Sequence, residues 1–129
     1  MSRKARISAE VVSLMAASAQ HAWTLEELHS ELAQRGQATD FSSVFRAAEK
    51  LAATGVLRKL LIEDGKARFE FADAHHDHLY CTSCHQLVPV PCLVGPEKFA
   101  AIEQATGVAI RDHHLVLSGL CRACVAAAA

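Results

Sequence analysis

The sequence has no excess of charge of one sign, and it lacks long apolar runs. Thirteen lysines and arginines stand against 14 aspartates and glutamates, which gives a formal net charge of -1 at pH 7. A nucleic-acid-binding protein with a basic surface throughout would have a clearly positive net charge. Any contact of this chain with nucleic acid therefore has to come from a local basic patch. The longest uncharged apolar stretch falls far short of the roughly 20 residues that span a bilayer. We therefore expect no membrane partner.

The chain also has little that indicates export. Residues 1–6 are basic, but no apolar signal core follows before Glu10. Apolar residues make up 51% of the 129 residues and charged residues 21%, which is typical of a folded chain with a sizeable core. We therefore expect a cytoplasmic protein, a setting in which disulfide bonds are rare.

What the sequence does have is unevenly distributed. Residues 1–72 carry ten lysines and arginines against nine acidic residues, whereas residues 73–129 carry three against five. All five cysteines and six of the eight histidines lie in the second stretch. Two parts with different chemistry share one chain, and we predict a domain boundary between residues 72 and 73.

The first part predicts three helices followed by a β-hairpin. Thr24 and Glu27 have the spacing of a capping box at the start of the second helix. Asp64-Gly65 lies between two short apolar runs and is a strong signal for a hairpin turn. The predicted helices cover 7–19, Thr24 to a stop at Gly36, and Asp40 or Ser42 to a stop at Gly55, and the predicted strands cover 57–62 and 67–71.

This order of elements is that of a winged helix-turn-helix. In such folds the third helix enters the major groove of DNA, and the wing contacts the backbone. The candidate contacts are Ser42, Ser43, Arg46 and Lys50 on the third helix, and Arg58, Lys59, Lys66 and Arg68 on the wing. A small helical domain with ordinary solvated charges fits the element order equally well. A homodimer would favour the DNA interpretation, because two basic faces would act together on one duplex.

Two CxxC pairs, Cys81–Cys84 and Cys121–Cys124, dominate the second part. Two intervening residues let both thiolates of a pair point at one ion, and two pairs complete the four-sulfur site of a structural zinc ion. Disulfides and a redox dithiol are the alternatives, although a redox CxxC usually occurs as one pair near a βαβ pattern, which is lacking here. Cys92 is left over, and we expect it to be a thiol outside the metal sites.

A run of histidines, His75-His76-Asp77-His78, precedes the first CxxC pair. In an extended segment alternate side chains face opposite sides, so His76 and His78 would face one way and His75 and Asp77 the other. One short run thus predicts two metal sites. Imidazole and carboxylate suit zinc, iron, manganese and nickel alike. A solvent-exposed polar linker is the alternative interpretation.

The rest of the second part predicts a small sheet with one helix. Strands over 79–81 and 87–90 precede a helix that begins at Pro96 and stops at Gly107, and an apolar strand over 113–120 follows. That last strand begins with two histidines, which would return one ligand to the histidine run. The exposed edge of such a sheet would allow pairing with a second copy across a two-fold axis.

Several motifs in this order resemble one family of bacterial regulators. They are Thr24-Leu-Glu-Glu-Leu, Ser43-Val-Phe-Arg46, Gly55-Val-Leu, Ala67-Arg-Phe-Glu70, His75-His-Asp-His-Leu-Tyr-Cys-Thr-Ser-Cys84 and His113-His-Leu-Val-Leu-Ser-Gly-Leu-Cys-Arg-Ala-Cys124. With them, the chain resembles the ferric uptake regulator (Fur) superfamily of metal-dependent repressors from residue 8 to residue 124. The resemblance implies an α+β chain, with an N-terminal winged helix over 1–72 and a C-terminal α/β dimerisation domain over 73–129. It also implies a homodimer on operator DNA.

The resemblance further implies roles for single residues. The four paired cysteines match the family's structural zinc site, and Phe45 stands where the family's recognition helix has tyrosine, so Phe45 joins the predicted DNA contacts. A second C-terminal metal site is implied at His75, Asp77 and His113. Its usual glutamate falls at Pro96, with Glu97 adjacent, and Glu97 is therefore a further candidate ligand.

The sensing site of the family lies between its two domains. Three of its ligands match Glu70, His76 and His78. The usual histidine before the second helix is Ala22 here, and His21, one residue earlier, is the candidate to replace it. The usual carboxylate after the first CxxC pair is Pro89. The implied regulatory metal is zinc or iron, with manganese and nickel as the other metals that the family senses.

We predict a metal-responsive repressor that is not an enzyme and has no small-molecule substrate. One ion bound by both domains would fix the distance between the recognition helices of a dimer, whose half-sites are about 34–36 Å apart. A peroxide sensor of the same family and a zinc-ribbon interaction or redox module without DNA binding are the alternatives. A metal-dependent hydrolase with Glu70 as base is a third, although no HExxH spacing is present.

Overall fold

The elements of the chain fall into two units in the computed structural model, which describes residues 1–37 and 39–128. The units are Met1–Asp73 and Ala74–Ala129, a division one residue after the position that the sequence predicts. Among the described residues, no helix is both long enough and apolar enough to cross a membrane. Helices and sheets occur in both units, so the fold class is α+β.

Three helices form most of the first unit: α1 (Arg3–Ala16), α2 (Leu25–Gln34) and α3 (Phe41–Ala53). The predicted capping box is present at α2, where the Glu27 N–H donates to the Thr24 hydroxyl and the Thr24 N–H donates to the Glu27 carboxylate. α1 begins four residues earlier than predicted and also ends earlier. The earlier start of α1 is explained by Ser2, whose hydroxyl accepts a hydrogen bond from the Ala5 N–H and caps the helix.

A three-stranded antiparallel sheet completes the first unit as a winged helix. Its strands are β1 (Trp23–Thr24), β2 (Leu57–Leu61) and β3 (Ala67–Phe71), in the order β1-β3-β2. The β2–β3 hairpin is the predicted wing, and Gly65 in its turn has a φ of +81°, which glycine adopts without strain. The core consists mainly of fully buried apolar side chains: Val11, Leu14, Leu28, Leu32, Val44, Leu57 and Phe69.

The second unit is built on a mixed three-stranded sheet. Its strands are β4 (Asp77–Cys81), β5 (Leu87–Val90) and β6 (Val116–Gly119), and β4 pairs antiparallel with β5 and parallel with β6. α4 (Pro96–Thr106) connects β5 to β6, and α5 (Arg122–Ala128) follows β6. β6 is shorter than predicted because the Leu115 N–H donates to the Asp77 carboxylate instead of to a strand.

Few apolar side chains are buried in the second unit. Among its described residues, Tyr80, Cys81 and Leu87 are the buried ones, and α4 contributes none. The large apolar side chains that stay exposed are Leu93, Ile102, Val108, Leu115, Leu117, Leu120 and Val125. A unit with so small a core needs a further source of stability, such as a metal ion or a partner.

Candidate metal centres and DNA-contact surface

The four paired cysteines come together in the second unit. Cys81 ends β4, Cys84 lies in the following turn, and Cys121 and Cys124 lie just before and within α5. The four Sγ atoms are within 4.8 Å of one another, with 3.8 Å between those of Cys84 and Cys121. All five cysteines are free thiols, so this structure does not support the disulfide alternative. Four sulfurs in this arrangement are the donor set of a closed, structural zinc site.

Backbone hydrogen bonds hold the first cysteine pair in a tight turn. The Cys81 N–H donates to the Gln86 carbonyl at 3.0 Å, and the His85 N–H donates to the Cys81 carbonyl at 2.9 Å. His85 takes a positive φ of 65° to close this turn. The Thr82 N–H donates to the Gly119 carbonyl at 2.8 Å. That bond ties the first pair to the strand that leads into the second pair.

Hydrogen bonds shift the pKa values of Cys81 and Cys124 in opposite directions. The N–H groups of Cys84 and Cys121 lower the pKa of Cys81 to about 5. In contrast, the hydrogen bond with the Cys121 side chain raises the pKa of Cys124 to about 12. Metal binding needs thiolates, so an ion that takes all four sulfurs must displace at least the Cys124 proton.

A second group of potential ligands, here called the mixed cluster, consists of His75, Asp77, Cys92 and His113. Its ligand atoms also lie within 4.8 Å of one another. The His113 Nε2 atom is central to it, 3.1 Å from His75 Nε2, 3.3 Å from Cys92 Sγ and 3.5 Å from Asp77 Oδ2. The structure thus brings together the three ligands that the resemblance implies for the second C-terminal site, and adds a sulfur.

The expectations for Glu97 and Cys92 need correction. Glu97 is not part of the mixed cluster, because its carboxylate folds over Gly95 at the start of α4. Cys92, which we expected outside the metal sites, takes that place. Strand register was the signal that could have found it: Asp77 pairs with Val90, so the same antiparallel register places Cys92 opposite His75.

Asp77 of the mixed cluster is almost completely buried, with 1% of its surface exposed. Its Oδ1 accepts a hydrogen bond from the Leu115 N–H at 2.9 Å, whereas Oδ2 has no hydrogen-bond partner among the described residues. Burial raises the pKa of Asp77, but the Leu115 N–H, the Cys92 side chain, His113 and His75 together outweigh it and lower the pKa. Asp77 is therefore an ionised carboxylate with one oxygen directed at the cluster.

The opposite side of the histidine run carries a row of three imidazoles. His76 Nε2 lies 3.0 Å from His78 Nε2, and His78 Nδ1 lies 2.6 Å from His114 Nε2. His78 is completely buried. Each member of the later histidine pair thus joins a different group, and His114 lies where it can orient the His78 ring.

Glu70 and His21, the other candidates for the sensing site, meet in the first unit. Glu70 is completely buried. Its Oε2 lies 2.5 Å from His21 Nε2, and its Oε1 accepts a hydrogen bond from Arg58 at 3.0 Å. Arg58 is opposite Glu70 in the β2–β3 register, which explains that ion pair. Ala22, at the position where the family usually has a histidine, is buried and has no ligand atom. The imidazole next to Glu70 is that of His21.

Four of the predicted DNA contacts lie on the exposed side of α3: Ser42, Phe45, Arg46 and Lys50. Ser43 is buried, and its hydroxyl donates to the Asp40 carboxylate at 2.7 Å. Asp40 caps α3, and the hydroxyls of Ser42 and Ser43 hold its pKa well below the usual range. Ser43 therefore helps to cap the helix start in this structure, a buried position that does not favour the predicted DNA contact.

The position of Arg68 on the wing does not favour its predicted DNA contact either. Only 4% of its side chain is exposed, and its guanidinium makes two hydrogen bonds to the Asp64 carboxylate at 2.9 and 2.7 Å. Lys59 is paired with Glu49 at 2.6 Å. Lys66, in contrast, is exposed next to the turn of the wing.

A cleft of about 370 Å³ lies between α1 and α3. Four cationic side chains contribute to its lining: Arg3, Lys4, Arg46 and Lys50. Arg3 and Lys4 were not among the predicted contacts because the predicted first helix begins at Ile7, whereas α1 begins at Arg3. A local positive surface therefore exists in a chain whose net charge is -1.

Comparisons with known proteins agree on one family. The family model described as "Ferric uptake regulator family" matches residues 3–118. The ferric uptake regulation protein of Legionella pneumophila is 25% identical over 116 residues, which cover 89% of this chain and 85% of that protein. That of Vibrio vulnificus is 29% identical over 97 residues, which cover 74% of this chain but only 65% of that protein.

Solved structures share the fold. The Vibrio cholerae ferric uptake regulator has a TM-score of 0.76 at 24% identity, with 89% of this chain and 88% of that chain covered. A zinc uptake regulator complexed with zinc and DNA has a TM-score of 0.68 at 20% identity, with 95% and 83% covered.

Proposed function

The chain belongs to the ferric uptake regulator family of metal-responsive transcription regulators, and we propose that it is a repressor that binds double-stranded operator DNA as a homodimer in the cytoplasm. Zinc or iron is the metal that it would sense. One observation carries the proposal: each unit supplies half of a ligand set, Glu70 with His21 in the first and His76 with His78 in the second. Only residues 71–75 separate Glu70 from His76 along the chain.

Ligands drawn from both units explain how metal would control DNA binding. Moving a dimer from 1:99 to 99:1 in favour of a binding-competent form takes about 5.5 kcal/mol of differential affinity. His76 and His78 are available in every arrangement of the units. Glu70 and His21 would add their ligands in the competent arrangement alone, and that difference is what a population shift requires.

The basic surface of the first unit supports DNA as the partner. Arg46 and Lys50 lie on the exposed side of the helix that enters the major groove in winged-helix proteins. Arg3 and Lys4 from α1 extend that surface along the cleft. The aligned zinc uptake regulator is described as complexed with zinc and DNA, which agrees with this proposal.

The exposed apolar surface of the second unit supports a homodimer. α4 has no buried residue, and Leu117 on β6 is 45% exposed. β5 and β6 are both edge strands of their sheet. Exposed apolar side chains beside open strand edges are typical of interaction surfaces, and a second copy related by a two-fold axis would cover them on both subunits at once.

The contacts of Glu70 argue against a hydrolase. A general base needs a free carboxylate oxygen within reach of a metal-bound water. In this structure one Glu70 oxygen accepts from Arg58 and the other lies against His21. We therefore propose a regulatory rather than a catalytic role for this glutamate.

Replacing Arg46 by alanine is expected to weaken DNA binding about tenfold or more, because a charged contact in a DNA interface contributes roughly 1–3 kcal/mol. Fluorescence anisotropy at fixed salt, with a duplex selected by the metal-loaded protein from a random pool, measures this. Arg68→Ala is the matched control: it removes the same charge from a buried pair, so it should lower the melting temperature and change DNA affinity less. If both variants lost the same amount of DNA affinity, α3 would not be the recognition helix.

Replacing His114 by alanine is expected to lower metal affinity at the sensing site about 10- to 100-fold, as loss of an outer partner of a metal-binding histidine does. The reason is that His78 Nδ1 would lose the partner that fixes its ring orientation. Isothermal titration with zinc measures the effect, and His114→Gln, which retains a hydrogen-bonding group, should recover part of it. An unchanged zinc affinity in His114→Ala would remove His114 from the site.

Metal analysis beside a DNA-shift assay tests the proposed function as a whole. The purified full chain is expected to hold one zinc ion per chain that survives mild chelation and further metal that does not. Adding back zinc or iron(II) should restore binding to the selected duplex. Salt must be held constant because phosphate contacts depend strongly on it. Metal that binds tightly but leaves DNA affinity unchanged would overturn the proposal.

A further inference from the structure

The mixed cluster contains a sulfur that the sequence left without a role. We infer that Cys92 is a metal ligand there, and that His75, Asp77, Cys92 and His113 form a complete four-ligand site that selects zinc-like ions over iron(II) and manganese. The inference deepens the proposed function, on which its regulatory meaning rests. The ligand assignment itself is testable without DNA.

Hydrogen bonding alone does not account for the geometry around His113. Its Nε2 atom faces three ligand atoms at 3.1 to 3.5 Å, from His75, Cys92 and Asp77. One imidazole nitrogen carries either one hydrogen or one lone pair, so it satisfies one such neighbour. Ligands at about 2.0–2.3 Å from a tetrahedral zinc ion lie roughly 3.3–3.8 Å from one another. The observed distances lie close to that range.

A second observation that points to a cation is Asp77 Oδ2, which accepts no hydrogen bond from the described residues. Oδ2 is buried and lacks a hydrogen-bond partner among the described residues, whereas Oδ1 is held by the Leu115 N–H. A buried polar atom left without a partner destabilises the folded state. A cation in the mixed cluster would satisfy this oxygen together with both imidazoles and the thiolate.

The surrounding chain holds the ligands in place. β4 supplies Asp77, and the segment that follows β5 supplies Cys92. Phe99 of α4 packs against the His113 ring with 4.6 Å between ring centroids. The ligands thus come from β4, from the segment after β5 and from the segment before β6, and an aromatic ring packs against one of them. The fold itself holds these ligand atoms close together.

Sulfur determines which metals such a site prefers. Thiolate is a soft ligand that favours zinc and cobalt, whereas carboxylate favours harder ions such as manganese. The resemblance implies a glutamate in this site, and Glu97 lies elsewhere in this structure. Cys92 therefore changes the site from an all-nitrogen-and-oxygen donor set to one that contains a single sulfur.

Cobalt(II) absorption tests the assignment. The full chain, mildly chelated so that it keeps its structural zinc, is titrated with Co²⁺ alone. We expect a near-ultraviolet sulfur-to-cobalt charge-transfer band and the intense visible bands of four-coordinate cobalt. The charge-transfer band should be lost in Cys92→Ser and in Cys92→Glu. The Glu variant should still bind cobalt, with a zinc-over-manganese preference at least about tenfold lower than that of the wild-type chain, a difference of one 1.4 kcal/mol step.

Two controls make the outcome decisive. The zinc that survives mild chelation and the circular dichroism should be unchanged in both variants, because Cys92 is outside the four-cysteine site. Mapping of iodoacetamide adducts on the wild-type chain needs no substitution, and Co²⁺ should protect Cys92 from alkylation. A charge-transfer band that persists without Cys92, or cobalt binding without such a band in the wild-type chain, overturns the inference. If the band appears as expected but metal never affects DNA binding, the ligand assignment stands and the proposed function fails.

Discussion

Replacing Cys124 by serine is expected to unfold residues 74–129 and to leave the first unit folded. The first unit has its own core, with sixteen buried apolar residues among those described, whereas the second unit has three. Structural zinc contributes roughly 10–16 kcal/mol of apparent binding free energy in small zinc domains. Whole domains are stable by only about 5–15 kcal/mol. Loss of one of four sulfurs should therefore remove most of the stability of the second unit.

Hydrogen exchange followed by mass spectrometry measures the unfolding of each unit separately. In Cys124→Ser the amide protection of β4, β5 and β6 should fall to that of an unfolded chain, while α1, α2 and α3 keep theirs. The zinc that survives mild chelation should drop below one ion per chain, and the proposed homodimer should dissociate. Cys92→Ser is the matched control, since it removes a thiol of the same unit that is outside the four-sulfur cluster. A Cys124→Ser chain that keeps its zinc and its protection would show that the cluster is not structural.

Replacing Glu70 by glutamine is expected to abolish most of the metal-dependent gain in DNA affinity. We expect that gain to be about 100-fold or more in the wild-type chain, or about 2.7 kcal/mol, since each tenfold step is 1.4 kcal/mol. Glutamine keeps the size of the side chain and an oxygen for Arg58, but it removes the negative charge that a cation needs. His76 and His78 would then bind metal without linking it to the first unit, and the gain should fall below about tenfold.

DNA binding at fixed salt, with and without added zinc or iron(II), measures the gain. Glu26→Gln is the matched control, because it removes the same charge from an exposed position at the start of α2. Both variants therefore have the same change in net charge toward DNA, and only the Glu70 variant should lose its response to metal. If Glu70→Gln responds to metal like the wild-type chain, the proposal that one ion takes ligands from both units fails.

Local signals were enough to predict much of the first unit. The Thr24–Glu27 capping box and the Asp64-Gly65 turn each depend on residues a few positions apart, and both are present in the structure. Arg68 shows where this reasoning stops. Its charge suggested a surface contact, but Asp64 lies four residues away and pairs with it in a buried position, which composition and spacing do not reveal.

The metal-binding residues show the same division between local and long-range information. The two-residue period of an extended strand was sufficient to separate His75 and Asp77 from His76 and His78. Cys92 was missed because it reaches the cluster through the pairing of β4 with β5. That register depends on the position of the turn between β4 and β5, which closes at His85 with its positive φ. The conformational preferences of single residues do not predict the position of this turn.

The interleaving of two ligand sets along residues 75–78 has an evolutionary consequence. Each set uses every other side chain of one stretch. A single insertion between His76 and Asp77 would therefore turn His75 and His76 to the wrong faces and split both ligand sets at once. Substitution at position 92 lies outside that stretch and has no such penalty. If Cys92 is a ligand as inferred, substitutions at position 92 could change the metal preference of the mixed cluster during evolution. The alternation that places His76 and His78 on the other face would be unaffected.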